Sequence, residues 1–94
     1  MSESIARRLV LVGRVQGVGF RSWAVDTALD LGLRGWVRNR RDGSVEILAI
    51  GPAERLDAFA LACGSGPPSA RVGAVESAPA EDDGVRGFER RDTG

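Results

Sequence analysis

An α+β sandwich is the fold this sequence predicts, and three observations predict it. Two segments carry an apolar stripe at helical spacing, and each lies between segments that read as strands. An Asp-Gly turn joins two runs that alternate in the strand period. The length, 94 residues with 43% of them hydrophobic, suits one domain with one core.

Taken in order, residues 1–6 are polar and are expected to fray. Arg7 to Val15 is rich in leucine and valine and reads as a mostly buried strand that stops at glycine. Phe20 to Leu31 reads as a helix, with Phe20, Ala24, Ala28 and Leu31 on one face and Trp23 beside them. Gly32 suits its left-handed end. Leu33 to Asn39 reads as a second strand, in which Trp36 and Arg38 point one way and Val37 and Asn39 the other. Arg40-Arg41-Asp42-Gly43 makes the turn, and Ser44 to Ile50 returns as the third strand.

Gly51-Pro52 stops that strand, with Pro52 placed to open a helix. Ala53 to Cys63 carries Leu56, Phe59, Ala60 and Cys63 on one face. A loop over 64–69 leads to a fourth strand, Ala70 to Ser77, with Val72 and Ala74 on one face and Val75 on the other. Residues 79–87 read as a solvated acidic loop. Whether Phe88 to Arg91 adds a short edge strand is open, and 91–94 is expected to be a loose tail. The plan βαββαβ is that of a ferredoxin-like sandwich. It has two helices on one face of an antiparallel sheet in the order 4-1-3-2, with the second strand at an edge.

Composition narrows the chemistry. The 13 basic residues, all arginine, balance 13 acidic ones. That balance argues against nucleic acid or an anionic membrane as the main partner. There is no histidine, hence no Ser-His-Asp triad and no histidine-ligated metal. There is no lysine, hence no Schiff base. The single Cys63 excludes an internal disulfide and suits a reducing cytoplasm. It falls on the apolar face of the second helix and reads as a core thiol. The N-terminus lacks a signal-peptide pattern, and the longest apolar run, Leu9 to Val12, is too short to span a bilayer.

The stretch with most chemical content is Gly13-Arg14-Val15-Gln16-Gly17-Val18-Gly19-Phe20-Arg21. Glycines allow positive φ and close approach of a ligand to the backbone. Successive amides in such a turn can enclose an anion, and a helix N-terminus adds unsatisfied donors and positive dipole. Arg21 adds a planar fork of donors that suits phosphate or carboxylate. The glycine spacing is not that of a dinucleotide fingerprint, and no nucleotide-binding βαβ unit follows. Five aromatics without a basic face do not suit single-stranded RNA. Arg38, Arg40 and Arg41 read as a solvated hairpin tip that could also attract an anion, and Trp23 and Trp36 as packing residues.

Two blocks of this sequence resemble the acylphosphatase family. One is residues 13–21 just quoted. The other is Gly32-Leu33-Arg34-Gly35-Trp36-Val37-Arg38-Asn39 followed by Asp42-Gly43-Ser44-Val45-Glu46. A weaker third block is Gly66-Pro67-Pro68-Ser69-Ala70-Arg71-Val72, and the resemblance covers about residues 7–90. It implies a metal- and cofactor-free hydrolase that cleaves an acyl phosphate to a carboxylate and inorganic phosphate. On that resemblance Arg21 matches the phosphate-binding arginine and Asn39 the asparagine that orients the attacking water. Gln16, Gly17, Val18, Gly19 and Phe20 match the loop whose backbone amides hold the phosphate. Ser22 departs from the aromatic residue that many relatives carry there, and the tail from Glu89 is more polar than the usual final strand. The expectation is a cytoplasmic monomer. The alternative is a non-catalytic module that binds phosphate or carbamoyl phosphate on the same fold. A 94-residue chain holding both Arg21 and Asn39 favours the enzyme.

Overall fold

The computed structural model describes residues 3–94. Seven elements follow one another: β1 (Ser4–Arg14), α1 (Phe20–Asp30), β2 (Arg34–Asn39), β3 (Val45–Pro52), α2 (Ala53–Ser65), β4 (Arg71–Ala80) and β5 (Phe88–Arg91). They form one sheet in the order β4-β1-β3-β2-β5. The predicted order 4-1-3-2 is present within it. The expected all-antiparallel sheet is corrected to a mixed one, because β5 lies parallel to β2 while the other pairs are antiparallel. β2 is therefore an inner strand and not the edge the sequence suggests.

The core lies between the sheet and the two helices. Leu9, Leu11, Val37, Val45 and Ile47 come from the sheet, and Phe20, Ala24, Ala28, Leu56, Phe59 and Cys63 from the helices. Helical periodicity selects the α1 and α2 members, and alternation selects Val45 and Ile47. The expectation of a mostly buried first strand is corrected: within β1 only Leu9, Val10 and Leu11 are buried, and Val12 is exposed. α1 stops at a Schellman turn. Gly32, at φ 69°, donates to Leu29 O, and Leu33 donates to Ala28 O at 2.9 Å, so the last carbonyls of the helix are satisfied. Pro52, at φ −61° and ψ 144°, precedes α2 and fixes its entry.

Several local expectations are corrected. Residues 4–6 are not frayed: Ser4, Ile5 and Ala6 pair with Pro52, Gly51 and Ile50. The expectation for residues 1–2 lies outside the described residues. β4 runs on to Ala80, because Ala78, Pro79 and Ala80 pair with β1. Its faces also differ from simple alternation. Val12 pairs with Ala74 and Gly13 with Val72, which leaves Gly73 as a bulge. The extra residue shifts the phase, so Val72 and Val75 both pack against the core. The bulge depends on Gly13, at φ 123°, where a Cβ would meet Arg71 O at 2.3 Å.

The C-terminal segment is an ordered part of the fold. β5 fits against β2 because Gly35 has no side chain: a Cβ there would meet Phe88 Cε2 at 3.0 Å and collide with Leu48 O. Phe88 is buried and packs edge-on against Phe59 at 6.0 Å. On the outer face the Arg91 and Arg38 guanidiniums lie 4.9 and 5.3 Å from the centre of the Trp36 ring. The expected loose tail at 91–94 is likewise corrected, since Arg91 belongs to β5 and Gly94 N donates to Asn39 O at 3.0 Å. The acidic loop is exposed but anchored to β2, with Asp82 paired to Arg34 and Asp83 accepting from Trp36 Nε1 at 3.1 Å.

One acid is buried on the outer sheet face. Glu46 is 6% exposed and accepts from Arg8 and from Arg38 Nε. Burial pushes its carboxyl up, but the two arginine hydrogen bonds outweigh that and hold it below its ordinary value.

Candidate active site

β1 ends paired with β4, Arg14 opposite Arg71, and the chain must then turn to start α1. It does so through Gly17 at φ 72° and Gly19 at φ 77°. At neither position would a Cβ meet an atom within 4 Å. Glycine is needed there for backbone conformation and leaves open space above the loop. Gly19 is also the N-cap of α1, with no side-chain cap. Trp23 N donates to Gly19 O at 3.1 Å. Among the described residues, none of the backbone amides from Gln16 to Ser22 donates to a protein acceptor. These donors, in a loop that meets a helix N-terminus, are free to take an anion.

Arg21 sits in the first turn of α1, half-buried. Its Nη1 donates to Arg91 O at 2.9 Å, which ties the guanidinium to β5. Asn39 ends β2 on the same face as the fully buried Val37 and is half-buried. Its backbone is fixed by pairing with Val45 and by the amide of Gly94. Its carboxamide has no partner among the described residues.

These pieces surround one cavity of about 190 Å³, lined by Val15, Gly17, Gly19, Phe20, Arg21, Ser22, Asn39 and Arg90. It joins Arg21 and Asn39, eighteen positions apart in the sequence. No carboxylate lines it, and two guanidiniums do. A small dianionic group is the ligand such a lining favours.

Gln16 and Val18, the other two predicted loop residues, do not line the cavity. Val18 packs against the core. The Gln16 side chain turns toward the β2–β3 hairpin, where Nε2 donates to Arg40 O at 2.7 Å and to Ser44 O at 2.8 Å. It straps the glycine loop to the turn that follows Asn39. That turn is itself braced: Asp42 Oδ1 accepts from Ser44 N at 2.9 Å and from Ser44 Oγ at 2.6 Å. Those two bonds, the hydroxyl first, hold the Asp42 carboxyl below its usual range.

Sequence reasoning missed Arg90 and gave Ser22 no role in the site. Both line the cavity, and Arg90 Nη1 donates to Ser22 Oγ at 3.1 Å. The available signal was alternation after Phe88: if Phe88 faces the core, Arg90 faces the same way and Arg91 the opposite way.

The chain resembles known proteins along nearly its whole length. The acylphosphatase family model matches residues 7–90. An acylphosphatase of Nitrobacter hamburgensis is 53% identical over 77 residues, covering 82% of this chain and 78% of that one. An acylphosphatase of Rhizorhabdus wittichii is 45% identical over 91 residues, covering 97% and 92%. Among solved structures, the acylphosphatase from Bacillus subtilis superposes with a TM-score of 0.88 at 39% identity, covering 93% of this chain and 98% of that one.

Proposed function

This chain belongs to the acylphosphatase family, and from that premise we propose how its residues hydrolyse an acyl phosphate to a carboxylate and inorganic phosphate. The amides of residues 16–20 and the Arg21 guanidinium hold the non-bridging phosphate oxygens. Their donors are fixed before the substrate arrives and face the equatorial oxygens over which the charge of the transferred phosphoryl group is spread in the transition state. The Asn39 carboxamide orients a water in line with phosphorus, opposite the leaving carboxylate. A P–O bond to water forms as the P–O bond to the acyl group breaks. The carboxylate leaves with the bond pair, and the water proton passes to a phosphate oxygen, giving dihydrogen phosphate.

The observation that carries this reading is the single cavity where Arg21, Asn39 and the uncommitted loop donors meet. A carboxylate is a good leaving group, so positioning and charge stabilisation suffice without a histidine or a covalent nucleophile. The test is turnover of benzoyl phosphate in EDTA, with Arg21→Ala and Asn39→Ala as variants. Each is expected to lose at least ~10²-fold, the scale of one transition-state donor. Near-normal turnover in both variants would refute the assignment, and a metal requirement would refute the cofactor-free mechanism.

We also infer a cytoplasmic monomer. β5 covers the β2 edge. Cys63 is buried and free, and burial pushes its thiol up to about 12, which suits an inert thiol in a reducing compartment. Among the described residues no helix is long and apolar enough to cross a membrane. Sedimentation at micromolar concentration tests the monomer.

A further inference from the structure

β5 alternates. Phe88 is buried against the core, Glu89 is exposed, and Arg91 lies over Trp36 on the outer face and pairs with Glu89 at 3.1 Å. Arg90 pairs in register with the fully buried Val37, two residues before Asn39 on the same face of β2. This brings its side chain to the cavity that holds Arg21 and Asn39. The two neighbouring arginines on β5 thus differ. Arg91 is engaged by a carboxylate and an aromatic ring. Arg90 has no carboxylate within ion-pair distance among the described residues. Its one hydrogen bond, from Nη1 to Ser22 Oγ, joins two cavity-lining side chains and leaves its remaining donors for a ligand.

We propose that Arg90, steadied by Ser22, reads the acyl half of the substrate and selects acyl phosphates that carry a second anionic group there, a carboxylate or a phosphate. The proposal rests on the phosphate seat described above. With the transferred phosphate on the loop amides and Arg21, the acyl group leaves on the side away from the attacking water. Arg90 and Ser22 are both exposed members of the cavity lining, so they stand where the acyl half extends from the phosphate seat to solvent. The exposure of Arg90 suits selection at the rim, where a solvent-accessible guanidinium attracts an anion modestly and in a salt-dependent way.

The test compares benzoyl phosphate with 3- and 4-carboxybenzoyl phosphate as substrates of the full chain, for the wild type, Arg90→Gln, Arg90→Lys and Ser22→Ala. The readout is the ratio of kcat/KM for each carboxylated substrate to that for benzoyl phosphate; intrinsic reactivity cancels between proteins. Arg90→Gln is expected to lower the ratio for at least one isomer roughly three- to fivefold, mainly through KM, the scale of one exposed ion pair. Arg90→Lys should keep most of the ratio, and Ser22→Ala should fall between. Raising the salt from 20 to 500 mM should shrink the wild-type ratio and leave that of Arg90→Gln flat. Equal loss with all three substrates would overturn the assignment, because Arg90 would then serve the common phosphate. Unchanged ratios in Arg90→Gln would overturn it too. Failure of the wild type to turn over any of the three would overturn the parent reading and this one with it.

Discussion

Replacing Gln16 with alanine separates holding the site together from touching the ligand. The Gln16 amide makes two hydrogen bonds across the gap between the glycine loop and the hairpin. A net hydrogen bond contributes about 0.5–1.5 kcal/mol, so the upper bound for the pair is about 3 kcal/mol. Neither acceptor is orphaned by the change, however. Ser44 O still accepts from Arg40 N at 2.9 Å, and Arg40 O from Gly43 N at 3.1 Å. The expected loss is therefore near the low end, about 1–1.5 kcal/mol, or roughly 5–10 °C in Tm for a domain of this size. Catalysis should suffer more, because the loop and Asn39 lose a shared strap and a small misplacement of reacting groups can cost up to about 10²-fold. We expect kcat for benzoyl phosphate to fall between about tenfold and a hundredfold. Gln16→Glu is the sharper variant, since it keeps the shape but cannot donate. Urea unfolding and steady-state turnover check both numbers. A Gln16→Ala protein with wild-type midpoint and kcat would show that the strap does not position the loop.

Two further variants test the packing. Glu46→Gln should cost about 1–2 kcal/mol at pH 7, because it removes the charge from a buried carboxylate bonded to Arg8 and Arg38. The native carboxyl titrates below its unfolded value, so its contribution is present above the unfolded value and is lost as pH falls through the native one. The gap between the variant and the wild type should close in urea titrations below about pH 4; a gap constant with pH would contradict the assignment. Gly35→Ala should cost at least ~2 kcal/mol and loosen β5, because the residue holds φ 145° and a Cβ there collides with the Leu48 carbonyl. Faster amide exchange along 88–91 is the check, and an unaffected β5 would contradict the close-approach argument.

Much of this architecture was legible because local and global signals agree. The helical stripes, the Asp-Gly hairpin and the glycine loop each select residues that the fold does bury or turn. Arg21 and Asn39 were legible as candidates because each sits in a block whose residue types serve one chemistry. What was not legible depends on contacts between distant segments. The bulge at Gly73 needs the close approach of Gly13, so strict alternation misassigns Val75. β5 is a polar run, Phe88-Glu89-Arg90-Arg91, and only three partners make it a strand: the missing side chain of Gly35, the ring of Phe59 and the face of Trp36. Without that strand Arg90 has no address, and neither does the carbonyl that holds Arg21. Gln16 was legible as a member of the loop but not as its strap, since its partners lie 24 and 28 residues away.

The central claim divides the labour of one cavity: Arg21 and the loop hold phosphate, and Asn39 places water. Competitive inhibition by inorganic phosphate, measured in EDTA beside turnover for both variants, tests that division directly. We predict that Arg21→Ala weakens phosphate binding at least ~10-fold, the worth of a charge-assisted contact. In Asn39→Ala the inhibition constant should stay within about threefold of the wild type while kcat falls at least ~10²-fold. An Asn39→Ala enzyme that loses phosphate affinity as severely as Arg21→Ala would contradict the claim, as would one that keeps its turnover.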